Sequence, residues 1–288
     1  MNLVKVIMDK LRMRGLLENA NALFKAGLII VVSIIVLSIL APVLTPYSPI
    51  VGTGDSLEPP SLKHPMGTNN LGYDMFSRIL YGARTVLTVV IAATLLSMSI
   101  GVPLGLISGY YGGKVDRALS IVMDSMYAFP SLILALAIAA VLGASLINAI
   151  IAIAVVYVPT YFRMVRGQAL SIKSLLYVEA ARALGASDFR IISKYVFPNL
   201  LPTVLVVFSM NIADAILTEA GLSFLGFSVP PPTPDWGADL RAGHSFVLAG
   251  YWWLVAFPGL MIMLLATGFA LIGEGLSDIL NPRREVVR

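Results

Sequence analysis

Long apolar runs alternate with short polar segments along nearly the whole chain. A membrane helix needs about 20 mostly apolar residues. Six windows bounded by charge, proline or glycine meet that length: 26–44, 85–108, 118–141, 145–162, 200–222 and 251–273. The first is preceded by basic residues, as a secretory signal would be, but it is long and ends in Ala41-Pro42-Val43-Leu44 without a small-residue cleavage pattern. It is read as a retained span. The predicted fold class is therefore all-α and polytopic, with six transmembrane helices.

Composition agrees. Of the 288 residues, 58% are apolar and 12% charged, about half the charge of a soluble domain. Cysteine is absent, which excludes disulfide scaffolds, thiolate metal sites and cysteine nucleophiles. The net charge of +4 matters less than its placement. With the N-terminus inside, sixteen of the twenty Lys and Arg residues fall on inner segments, and only Lys63, Arg78, Arg84 and Arg241 fall outside. That asymmetry predicts cytoplasmic tails at 1–25 and 280–288 and a multi-pass protein of the cell membrane in contact with lipid.

Three connections are long enough to carry function: the outer loops near 45–84 and 223–250 and the inner loop near 163–199. The inner loop predicts a helix from about Gln168 to Leu184, a left-handed cap at Gly185, and a second short helix started by Ser187 or Asp188. The product is an elbow below the membrane, at about 168–197. Ala180, Ala181, Ala183 and Leu184 would hold apolar surface against water there. Burial in a partner's groove and contact with lipid headgroups both satisfy that chemistry, and the residues alone leave the two open.

Glu179-Ala180-Ala181, three residues, Gly185, nine residues, then Tyr195-Val196-Phe197-Pro198 resembles the EAA motif of permeases of the ATP-binding cassette importers, with Tyr195 and Phe197 in place of the usual Ile and Leu. Two other segments resemble the C-type permeases of the oligopeptide, dipeptide and nickel group. Met66 to Arg78 is similar to their G-T-D-x-L-G-R-D-x-x-S-R segment, departing at Asn69 and Tyr73. Glu219 to Phe227, followed by Pro231 to Gly237, is similar to their E-A-x-L-S-F-L-G and P-P-x-P-x-W-G segments.

The resemblance implies a type I importer permease fold whose core spans 85–279, with residues 26–84 as an added span and loop. It also implies partners: a second homologous permease forming a heterodimer, two cytoplasmic ATP-binding subunits and an extracytoplasmic solute-binding protein. The elbow would be the ATPase-coupling helix, with Glu179, Ala180, Ala181, Arg182, Gly185, Ser187 and Asp188 at the joint. ATP and Mg would sit on the ATPases, and no cofactor, metal or nucleic acid is expected on this chain. Peptide is the expected cargo, with nickel or oligosaccharide as alternatives within the group. The chain is expected to be a transport subunit and not an enzyme.

Four acids fall within or beside the spans, where ionisable groups usually face a cavity or a partner. Asp214 and Glu219 are the translocation-path candidates. They lie five residues apart and hence about 140° apart around a helix, too far to act as one pair. Glu219 equally suits support of the outer loop, and Asp214 a hydrogen bond to a neighbouring helix. Asp124 and Glu274 are expected near the inner face, within reach of Arg117 and Arg283. His64 and His244 fall in separate outer loops, so a metal site is not expected. Gly112-Gly113-Lys114 runs into Val115, not the Ser or Thr of a phosphate-binding loop; hydrolysis belongs to a partner. A proton-coupled transporter using the four acids as a relay is the competing reading from another class. An intramembrane enzyme lacks a nucleophile–base pair.

Overall fold

The computed structural model describes residues 21–280; the basic tails behind the charge asymmetry, with Arg283 among them, lie outside the described residues. Within them the regular structure is helical. The elements are α1 (Ala22–Leu44), α2 (Met75–Tyr111), α3 (Gly113–Tyr127), α4 (Ser131–Leu142), α5 (Leu146–Lys173), α6 (Leu176–Ala183), α7 (Asp188–Ile191), α8 (Phe197–Leu225), α9 (Trp236–Gly243) and α10 (Trp253–Leu280). A π-helical turn, Ile192–Val196, feeds α7 into α8. Five of the described helices are long and apolar enough to cross a membrane, and the bent pair α3–α4 has the length and composition of a sixth if it counts as one span.

The third expected span, 118–141, is not one helix. α3 and α4 meet at 91°, with the break at Ala128, Phe129 and Pro130. Pro130 has no N–H to continue the ladder, and its ring drives Phe129 out of helical geometry. The other differences are of length. α2 starts at Met75, not at 85, and runs 37 residues, about 55 Å, well beyond a hydrocarbon core of about 30 Å. Its first turns belong to the folded loop at 45–74. Asp74 caps them, accepting from the Ser77 backbone N–H at 2.7 Å.

α2 and α5 form the central pair. Gly101, Gly105 and Gly109 repeat every four residues and so share one face of α2. A methyl group on them would lie 2.6 Å from Tyr161 Cβ, 2.7 Å from the Phe162 carbonyl and 2.6 Å from the Arg166 carbonyl. The backbones touch because nothing stands between them. Small residues do this in membranes, where lipid is as apolar as the helix surface and close packing must supply the attraction. Ser97 adds a bond across the pair, its hydroxyl donating to the Ala154 carbonyl at 2.9 Å.

α8 and α10 pack beside this pair, and α1 lies outermost. Gly27 on α1 meets Gly268 on α10 with a methyl-to-carbonyl separation of only 2.5 Å. Arg84 of α2 donates to the Ser38 and Ile39 carbonyls of α1, near its last turn. Ile29, Val32, Val36, Ile39 and Val43 remain exposed along α1, a face suited to lipid.

Replacing Gly105 tests the central pair. Gly105→Ala should lower stability by about 1–3 kcal/mol, the usual cost of overpacking, and Gly105→Leu should abolish recovery of folded protein. Thermal denaturation in detergent reads both; a leucine variant as stable as the parent would mean that α2 and α5 do not depend on this contact.

Candidate functional site

The elbow is built from the end of α5. Lys173, in its last turn, donates from Nζ to the Gly109 and Tyr110 carbonyls at 2.8 and 3.1 Å, where the carbonyls ending α2 favour a cation. α6 turns Val178 and Ala181 inward, both buried. It ends as expected: Gly185 has φ +80°, its N–H reaches the Arg182 carbonyl, and the Ala186 N–H reaches that of Ala181, the double bond of a left-handed helix cap. Tyr110 Oη then donates to Asp188 at 2.6 Å, and Arg182 extends over the Tyr110 ring.

Two expectations for this segment change. The helix expected from 168 to 184 breaks at Ser174 and Leu175, and Ala181, expected to hold apolar surface against water, is instead buried against the chain's own core. Asp188 directs its carboxylate at Tyr110. Glu179, Ala180, Arg182, Gly185 and Ser187 face out, beside Leu176, Leu184 and Phe189, which are 83, 88 and 81% exposed. Sequence reasoning missed Leu176 and Phe189; their signal was bulk within a charged segment. Tyr110 gave none, since its partners are distant in sequence.

Further along the same helices, a cavity of about 520 Å³ opens between the α3–α4 bend, the middle of α5 and the middle of α8. Tyr127 and Phe129 line one side, Tyr157 and Thr160 another, and Asn211, Asp214 and Thr218 a third. Tyr157 and Thr218 share a 2.9 Å hydrogen bond. Asp214 faces the cavity, while Glu219 is fully buried elsewhere and accepts from Ser228 Oγ at 2.9 Å. The two path candidates thus part as their spacing requires. Asp124, expected beside Arg117, instead lies 3.8 Å from Arg163 of α5, which stacks on Tyr127. Glu274 is exposed.

At the opposite end from the elbow, two of the sequence segments quoted above meet. Arg78 donates through Nε to Asp239 at 2.7 Å and through Nη1 to the Pro49 and Pro232 carbonyls at 2.8 and 3.2 Å. One guanidinium joins the 45–74 loop, α2, the 226–235 loop and α9. Trp236, wholly buried, donates to the Ile79 carbonyl at 3.0 Å. Asp235 caps α9 at the Ala238 N–H and also accepts from Ser223. His64 meets Asp74 at 2.8 Å. Here the buried polar residues act as a structural lock. Burial pushes the Asp239 carboxyl up to about 6, and Arg78 offsets this only in part.

Removing one side of that lock strands a buried charge. Arg78→Gln should cost about 3–5 kcal/mol, with partial recovery in the double variant Arg78→Leu, Asp239→Leu. The pH dependence has a definite sign. Because the folded carboxyl titrates near 6, above the ordinary 3.8, its contribution is complete below about 3.8 and is lost as pH rises through 6. The melting midpoint should therefore carry a downward component between about pH 4 and 6 that Asp239→Asn removes; an unchanged slope in that variant would contradict this account of the lock.

Residues 101–286 match the family model described as binding-protein-dependent transport system inner membrane component, and residues 19–60 match the N-terminal transmembrane domain of oligopeptide transport permease C. The chain is 43% identical over 264 residues to a dipeptide transport system permease protein of Alkalihalophilus pseudofirmus, covering 91% of this chain and 86% of that one. It is 40% identical over 256 residues to a probable D,D-dipeptide transport system permease protein of Escherichia coli, covering 88 and 86%. A glutathione transport system permease protein of Pectobacterium atrosepticum is 42% identical over 227 residues, covering 78 and 75%. Among solved structures, the inward-facing MetNI methionine ABC transporter shares the fold, with a TM-score of 0.60 at 20% identity over 72% of this chain and 98% of that one. With its membrane-spanning helices, its cavity and these two family matches, the chain belongs to the inner-membrane permease components of binding-protein-dependent ABC transport systems.

Proposed function

We propose that this chain is one half of the translocation path of a peptide importer. It would pair with a second related permease, receive di- or oligopeptides from an extracytoplasmic binding protein, and be driven by two ATPase subunits seated on the elbow. Its tails and elbow would lie in the cytoplasm and the Arg78 lock outside. The peptide assignment draws on the named cargo of the relatives and on a cavity of about 520 Å³, within the usual range for small-molecule sites.

The observation that carries the mechanism is the two-sided elbow. Its inner side is fastened to α2 by Lys173, Tyr110 and Asp188, and its outer side offers Leu176, Leu184 and Phe189 to a groove. α5 enters the elbow and α8 leaves it, and both line the cavity. A displacement of the elbow by closing ATPases would therefore reach the cavity walls through continuous helices.

Gly185 is the sharpest probe of this joint. A Cβ there meets no neighbour of this chain within 4 Å, so within the chain the change acts through a φ of +80° that β-branched residues avoid, and in the complex it would also occupy groove volume. Gly185→Val should insert normally yet lose copurifying ATPase or leave hydrolysis uncoupled from uptake. Glu179→Ala should weaken the joint by about 1 kcal/mol. Uptake and subunit recovery equal to the parent in Gly185→Val would return the elbow to the lipid surface. A reporter fused to the C-terminus should be active only in its cytoplasmic form; the opposite result would invert the proposed orientation.

A further inference from the structure

Asp214, exposed where the cavity opens, is the only formally charged side chain among the described residues that line it. It makes no hydrogen bond or ion pair with any described residue, whereas Asp116 and Asp124 pair with Arg166 and Arg163 and Asp239 with Arg78. A lone carboxylate within a membrane span is costly and persists where it meets a cavity or a partner. The hydroxyls of Ser131 and Thr160 on the same walls also carry no hydrogen bond within the described residues. The cavity thus presents one negative charge with spare acceptors beside it. The remaining wall is mixed: Phe129, Leu132, Val156 and Leu217 are apolar, while Tyr157 and Thr218 bond each other and the Asn211 amide nitrogen has no partner among the described residues.

That set discriminates among cargoes. An ammonium group brings one positive charge and three N–H donors, and charge-assisted bonds to a carboxylate are the strong ones. A neutral sugar needs no charge. A transition-metal ion prefers several imidazole, thiolate or carboxylate ligands, and the cavity offers a single carboxylate. We infer that Asp214 receives the ammonium group of the cargo as it crosses, with the apolar residues of the wall holding the rest. The inference rests on the peptide reading above and adds the chemical group that this permease recognises. Both an α-ammonium and a lysine side chain carry that chemistry.

The test uses the complete importer in liposomes, supplied with saturating binding protein and ATP. The probes are radiolabelled alanyl-alanine, N-acetyl-alanyl-alanine and N-acetyl-lysyl-alanine. Asp214→Asn should lower alanyl-alanine uptake by about tenfold or more, and Asp214→Glu should restore most of it. For N-acetyl-alanyl-alanine, parent and Asp214→Asn should differ little. Sensitivity to Asp214→Asn with N-acetyl-lysyl-alanine would assign the site to either ammonium, and its absence to the α-ammonium alone. Equal alanyl-alanine uptake by parent and Asp214→Asn would overturn the inference. So would an equal loss for all three probes, or loss of the second permease from the purified complex, which would make Asp214 an assembly contact. A parent importer that accumulates none of the probes would overturn the peptide reading and the inference with it.

Discussion

The backbone contact between α2 and α5 sets the geometry of everything else. Three glycines on one face of α2 let the helices approach until carbonyls and Cβ atoms touch, and in lipid such packing is the main source of attraction between helices. Each functional feature then takes its position from the pair. The lock grows from the first turns of α2, the cavity opens against the middle of α5, and the elbow hangs from their neighbouring ends. At that end Arg166 of α5 binds Asp116 of α3 through two nitrogens, at 2.5 and 2.8 Å, while Ser108 of α2 donates to the same carboxylate. Three helices are held at one ionic knot, so α3 cannot swing freely of α2 and α5.

The spans were legible because hydropathy is a local property. Their ends were not. Arg78 and Arg84 interrupt the apolar run before 85, so the sequence reading started the second span late. In the structure both arginines ride on α2, because Asp239 and distant backbone carbonyls satisfy them. No local pattern reports a partner 161 residues away. The α3–α4 bend was hidden for a different reason: an average over 118–141 registers how apolar the stretch is, and Pro130 barely changes that average while it removes the helix.

The site divides along the same line. Gly185 could be read because a left-handed cap is a demand of the backbone itself, met within six residues. The separation of Asp214 from Glu219 could be read because helical periodicity fixes it. Which one faces the cavity could not, since that depends on how α8 is rotated against α5. The inward turn of Ala181 and the Tyr110–Asp188 link are likewise products of packing, and they narrow the free face of the elbow to fewer residues than the motif contains. Buried polar residues in the segments 45–78 and 219–239 proved to be one assembly, with Arg78 and Trp236 joining elements that the sequence keeps far apart.

The bend at Phe129 and Pro130 leaves backbone groups without helical partners: carbonyls at the end of α3 and N–H groups at the start of α4. Lipid cannot solvate them, and irregular backbone at membrane depth is stable only inside protein or beside water. Met126, Tyr127, Phe129, Ser131 and Leu132 on both sides of the bend all border the cavity. The break therefore has to find its partners in neighbouring protein or in the polar space of the cavity. A polar cargo entering there would meet unpaired backbone groups of its own kind, and each bond it made to them would offset part of the cost of shedding its water.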